Sequence, residues 1–228
     1  MSLFIGQQVP GSVDEAFLTW PVLSWITVNG YPLVSFVFNL ALLLVPLAAQ
    51  VGLDKLLNKD KKLSAWTSKL MGGLLFLVWL IFIPNTAYII TDVRHLLVPG
   101  CAVDSFYRVC AAQPWPIIFF FTYGLLGWLS WVYLVRRWRR SLVKVYGRTV
   151  GWWFVWCLPP LVALGVLLGL VERWNSWQLL TSTRLVAASA GSYFTDPAKL
   201  LNWLIFTICL YLLYFGGAKL LVDETKKQ

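Results

Sequence analysis

The sequence predicts an all-α polytopic membrane protein, a bundle of five transmembrane helices, with six as the alternative and short interfacial helices on the outer side. Three observations predict it. Hydrophobic residues make up 59% of the 228 residues and charged residues only 13%, which excludes an ordinary soluble domain. Five apolar stretches are each long enough for a hydrocarbon core of about 30 Å, which takes roughly 20 helical residues. Fourteen of the 19 Lys and Arg residues fall in three regions that alternate with the rest along the chain. The length allows one membrane domain, residues 1–228, and no sizeable soluble one. The net charge of +9 follows from the positive-inside rule, so nucleic acid is not an expected partner.

Residues 1–32 read as an outer N-terminal interfacial segment. They contain no Lys or Arg, so a basic signal-peptide start is missing and a cytoplasmic N-terminus is disfavoured. Ser12 and Glu15 have capping-box spacing ahead of Ala16-Phe17-Leu18. Pro21 interrupts the pattern, and residues 17–28 are too short to span alone. Trp20 and Trp25 suit an interface. A short helix on the outer surface is expected, with a sixth, tilted span through residues 16–32 as the alternative.

The expected spans are residues 33–53, 70–90, 117–135, 152–171 and 200–220. The basic connections are residues 54–69, with five Lys, and residues 136–148, with Arg136, Arg137, Arg139, Arg140, Lys144 and Arg148. Lys219, Lys226 and Lys227 mark the tail, residues 221–228 lying beyond the last span. The opposite side carries Arg94, Arg108, Arg173, Arg184 and Lys199. This asymmetry predicts a multi-pass protein of a plasma (inner) membrane, N-terminus outside and C-terminus cytoplasmic. Residues 177–190 read as an outer interfacial helix with Leu179, Leu180, Val186 and Ala187 on its apolar side, and residues 191–197 as a loop.

The chemistry concentrates in residues 84–95, Pro84-Asn85-Thr86-Ala87-Tyr88-Ile89-Ile90-Thr91-Asp92-Val93-Arg94-His95. On a helix Asn85, Tyr88, Asp92 and His95 fall within roughly 80° of arc. Polar groups at membrane depth are costly and point to function. Pro84 predicts a kink or break near residues 82–84. The topology sets this motif at the same outer level as residues 172–178 and Asn39. The ligand-binding candidates are therefore Asn39, Asn85, Tyr88, Asp92, Glu172, Arg173, Asn175 and Trp177. The catalytic candidates are His95, the only histidine, as general base, with Asp92 as its orienter. An interhelical polar network with no ligand is the plainer reading. One His with two carboxylates is too few for a metal site, and no metal or cofactor is expected.

Cys101 and Cys110, in the outer loop, are a disulfide candidate. Cys157 and Cys209 lie in spans and read as packing residues. Trp66, Trp138, Trp152 and Trp153 read as an interfacial belt on the basic side, and Trp115, Trp174 and Trp177 as its counterpart. Gly124 with Gly127 and Gly165 with Gly169 predict close helix approach.

Three motifs carry a family resemblance. They are Asn39-Leu40-Ala41 with Pro46, then Phe82 to Asp92 with His95-Leu96, and then Gly169 with Arg173-Trp174-Asn175-Ser176-Trp177. Over residues 34–180 the chain resembles the DUF1361 family of uncharacterised prokaryotic integral membrane proteins. The resemblance implies a polytopic membrane protein and no particular reaction. The chain departs from the family pattern at Leu170, where Arg is usual, and at Gln178, where Asp is usual.

The expected function is an integral membrane protein whose outward-facing polar pocket binds a lipid headgroup or small polar ligand. The alternatives are a membrane enzyme acting on a lipid-linked substrate and a structural subunit of a membrane complex. Membrane lipids are the expected partners, with a membrane-protein partner in the structural reading.

Overall fold

Apolar runs free of charge fold here as helices, which satisfy their own backbone polar groups where no water can. The computed structural model describes residues 26–28, 31–58, 65–96 and 115–220. A two-residue strand β1 (Thr27–Val28) pairs antiparallel with β2 (Tyr31–Pro32). The chain continues directly into α1 (Leu33–Asn58), then α2 (Ala65–Phe82), α3 (Pro84–Thr91) and a 3-10 turn (Asp92–Leu96). After these come α4 (Trp115–Tyr146), α5 (Arg148–Leu170), a single turn α6 (Gln178–Thr181), α7 (Thr183–Thr195) and α8 (Pro197–Leu220).

Five stretches among the described residues are long and apolar enough to cross a membrane, namely α1, α2 through the 3-10 turn, α4, α5 and α8. The protein is thus an all-α polytopic membrane protein. The sixth-span alternative and most of the expected N-terminal surface helix lie outside the described residues. Where that helix would have reached Thr27 and Val28, the chain is instead paired with β2.

The second span breaks where proline requires it. Ile83 N–H still donates to Trp79 O at 2.8 Å, but Pro84 has no N–H to give. Thr86 then turns back on Ile83, its N–H at 3.1 Å and its hydroxyl at 2.7 Å from the same carbonyl. The helix restarts as α3 at Pro84, and Thr86 is fully buried.

α5 tolerates two internal prolines for a similar reason. Pro160 cannot donate to Trp156 O, and the Tyr211 hydroxyl of α8 donates there instead. Trp203 of α8 donates its indole N–H to Pro160 O at 2.9 Å.

Four expectations are corrected. The basic stretch 136–148 is not a loop: α4 continues as a helix through Tyr146. Its inward face still has a partner there, since Trp138 and Ser141 are buried and Arg137 meets Asp54 of α1 at 2.6 Å. The chain reverses at Gly147, whose φ of 89° lies in the region glycine favours. Residues 191–195 are likewise helical, because buried Val186 and Tyr193 hold α7 in place past Gly191. Asp196 alone separates α7 from α8, accepting from Ala198 N–H at 2.9 Å as an N-cap with Pro197 behind it. Trp138 is a core residue, not a belt residue. It stacks on fully buried Trp79 at 5.0 Å, beside Phe76 and Phe154. Cys157 and Cys209 are exposed on the bundle surface, so they are not packing residues.

The bundle has two unlike ends. At one, Asp54 accepts from Arg137 (2.7 Å), Gln50 (3.0 Å) and Ser141 (3.3 Å), among the basic residues of α4. The other end gathers residues 85–96 and 172–199.

Candidate functional site

The site is built around α3. A Cβ at Gly127 of α4 would come within 2.6 Å of Thr86 O, and one at Gly165 of α5 within 2.8 Å of the Pro84 ring. Those two glycines let α3 sit between α4 and α5. The hairpin α1–α2 packs on α3, and α2 reaches α5 through Phe76 and Trp79 against Phe154. A cavity of about 520 Å³ remains between the hairpin and α5, covered at one end by residues 173–190. Its deeper wall is aliphatic, with Leu42, Leu77, Leu80, Leu161 and Leu164. Its upper wall is polar, with Asn39, Asn85, Arg173, Asn175 and Ser176. Pro46 and Pro84 are the residues that would donate to the carbonyls of Leu42 and Leu80, and proline has no N–H. Interrupted membrane helices of this kind line cavities.

Six of the eight ligand-binding candidates line this cavity: Asn39, Asn85, Tyr88, Arg173, Asn175 and Trp177. Asn85 donates to Ser176 Oγ at 3.4 Å, joining α3 to the segment after α5. Asn175 Nδ2 is buried and has no hydrogen-bond partner among the described residues. Its backbone N–H donates to Gln178 Oε1 at 2.7 Å. Trp177 meets Phe38 edge to face at 6.3 Å. Tyr88 lies against Gly169 and receives Arg94 at 3.4 Å on its hydroxyl.

Asp92 and Glu172 do not line the cavity. Asp92 is fully buried, its Oδ2 accepting from Asn39 at 3.4 Å and its Oδ1 lying 3.8 Å from His95 Nε2. His95 stacks on Tyr31 at 3.9 Å and also stays off the cavity wall. Glu172 turns away to Lys199 at 2.7 Å, and Lys199 also donates to Ser192 at 3.0 Å. Burial, and then the Glu172 carboxylate, push the neighbouring Tyr193 phenol up to about 12. The eight candidates therefore divide among a cavity wall, a carboxylate bracing that wall from behind, and a separate ion pair tying residue 172 to α8. Cys101 and Cys110 lie outside the described residues.

The segment after α5 owes its shape to Arg173. That residue adopts φ of 61°, in left-handed space, and Trp174 N–H reaches back to Leu168 O at 3.0 Å. The Trp174 indole donates to Ser189 of α7 at 3.0 Å, which holds α7 over the cavity. Among the described residues, the sequence reading missed the aliphatic half of the site, since Leu77 and Leu161 look like any lipid-facing leucine. It also missed the Gln50, Asp54, Arg137 and Ser141 network. Gln50 four residues ahead of Asp54 was the available signal, because that spacing puts both on one helix face.

A family model described as proteins of unknown function, DUF1361, matches residues 38–213. The chain belongs to the DUF1361 family. The DUF1361 match runs from Phe38, one residue before Asn39, to Leu213 in α8. It takes in α7 and most of α8, beyond the limits of the resemblance seen in the motifs. No curated protein and no solved structure matches the chain.

Proposed function

We propose that this membrane protein binds a lipid headgroup or small polar ligand in the cavity between α1–α2 and α5. Asn85, Arg173 and Asn175 contact the ligand, Tyr88 and Trp177 wall it, and Asn39 is held in place by Asp92. The observation that carries the reading is Asn175 Nδ2, a buried amide donor without a partner, on the wall of a cavity. A buried unsatisfied donor costs about 1–3 kcal/mol, which a ligand oxygen would recover. The cavity end faces the outer leaflet of a plasma membrane in this reading, with the N-terminus outside and the C-terminus cytoplasmic. The basic ends of α1, α4 and α8 support that orientation.

The geometry favours binding over catalysis, because His95 and Asp92 stand behind the wall and not on it. The test is lipid extraction from the purified full chain. Asn175→Ala should reduce the retained lipid several-fold at unchanged thermal midpoint, and Asn85→Ala should do so with a slightly lower midpoint, because its bond to Ser176 is also lost. Equal retention by both variants and the wild type would refute the reading. A lowered midpoint together with equal retention would favour a purely structural network.

A further inference from the structure

We propose that the occupant is one amphipathic molecule, a lipid with a phosphate-bearing headgroup, which enters sideways from the bilayer between α2 and α5. The proposal rests on the binding reading above and names its ligand class. Three independent features carry it.

The first is charge. Among the described residues lining the cavity, Arg173 is the only charged one, and no Asp or Glu lines it. The Arg173 guanidinium and the amides of Asn85 and Asn175 all belong to residues at the polar end of the cavity. That donor set suits an anion with several acceptor oxygens, and Arg recognises phosphate well because its donors form a planar fork.

The second is depth. From Asn85 the wall continues down α2 to Leu77, about 12 Å along the axis at 1.5 Å per residue. Across from it stand Leu161 and Leu164 of α5. A headgroup alone would leave this aliphatic half unfilled, whereas an acyl chain matches it.

The third is access. Leu77 and Leu161, on the two sides of the cavity, are 51% and 54% exposed. Both belong to membrane-spanning helices, so the surface they present faces hydrocarbon. A lipid reaches the cavity by that route without leaving the bilayer, its headgroup staying at the polar end as its chain slides between the helices.

The test uses the full chain, stripped of copurified lipid, in dodecyl maltoside micelles, whose headgroup carries no phosphate. The probes are phosphatidic acid, diacylglycerol with the same chains, and glycerol 3-phosphate. Phosphatidic acid should bind at least tenfold more tightly than either of the others. Arg173→Gln should weaken phosphatidic acid about tenfold and leave diacylglycerol unchanged. Leu161→Trp and Leu77→Trp narrow the entry from opposite sides, and each should weaken phosphatidic acid while leaving glycerol 3-phosphate unaffected. Arg140→Gln, at the far end of the bundle, should change nothing.

Equal binding of glycerol 3-phosphate, with no effect of either Trp variant, would overturn the lipid proposal while leaving a small polar ligand in place. Equal binding of diacylglycerol would overturn the phosphate. Binding of phosphatidic acid that is insensitive to Arg173→Gln, Leu161→Trp, Asn85→Ala and Asn175→Ala would overturn both this proposal and the binding reading. No binding of any probe would do the same.

Discussion

Arg173 holds a backbone conformation that costs a side-chain-bearing residue about 1–2 kcal/mol and glycine almost nothing. Strain of this kind persists only where the surrounding structure enforces it, and it clusters at functional sites. Arg173→Gly should therefore stabilise the fold by about 1 kcal/mol, a rise of about 2–4 °C in thermal midpoint by the scaling of soluble domains, while weakening ligand retention. A fall in midpoint would show that the guanidinium is needed for the fold itself. The polar residues of this site were legible in the sequence one by one, because each breaks an apolar pattern. Their division was not. Glu172 and Arg173 are adjacent, yet the left-handed residue turns the chain between them, so Glu172 reaches Lys199 while Arg173 reaches the cavity. No periodicity in the sequence encodes that change of direction.

At the scale of elements, α3 is a short helix clamped by two glycines, and its position sets the shape of the site. Gly127→Val would force side-chain atoms into the Thr86 carbonyl and Ile89. Overpacking of this sort costs about 1–3 kcal/mol. The expected result is a lower thermal midpoint together with lost ligand retention, since α3 carries Asn85. A Gly127→Val protein with wild-type midpoint and retention would show that α3 can shift without consequence. Pro84 made the break between α2 and α3 readable, because the missing N–H is a property of the residue. The glycines announced close approach but not which neighbour approaches. The helical ends of α4 and α7 were missed for one reason. In both, buried side chains outweigh a local signal, the charge run in α4 and Gly191 in α7, and burial depends on residues far away in sequence. The β1–β2 pair was missed despite Asn29-Gly30 between its strands, a strong hairpin signal.

At the scale of the whole molecule, the number of spans followed from length and composition, which fix how much chain can rest in hydrocarbon. The expected orientation is directly measurable. In a background with the four native cysteines replaced, a membrane-impermeant thiol reagent should label Arg184→Cys in intact cells. Lys55→Cys should react only after lysis. The reverse pattern would invert the bundle and move the cavity to the inner leaflet. Distances between helices could not be read in advance. The hairpin α1–α2 and the helix α5 each look like ordinary apolar spans, and Pro84 of α3 meets Gly165 of α5 on the wall of the space between them.

Trp79, Trp131 and Trp138 are each no more than 1% exposed, and their indole nitrogens have no acceptor among the described residues. Such protons exchange with solvent only when the bundle around them opens. In deuterated water the nuclear magnetic resonance signals of Trp79 and Trp138 form a clock for the opening of α2 against α4, and that of Trp131, edge to face with Tyr214, one for α4 against α8.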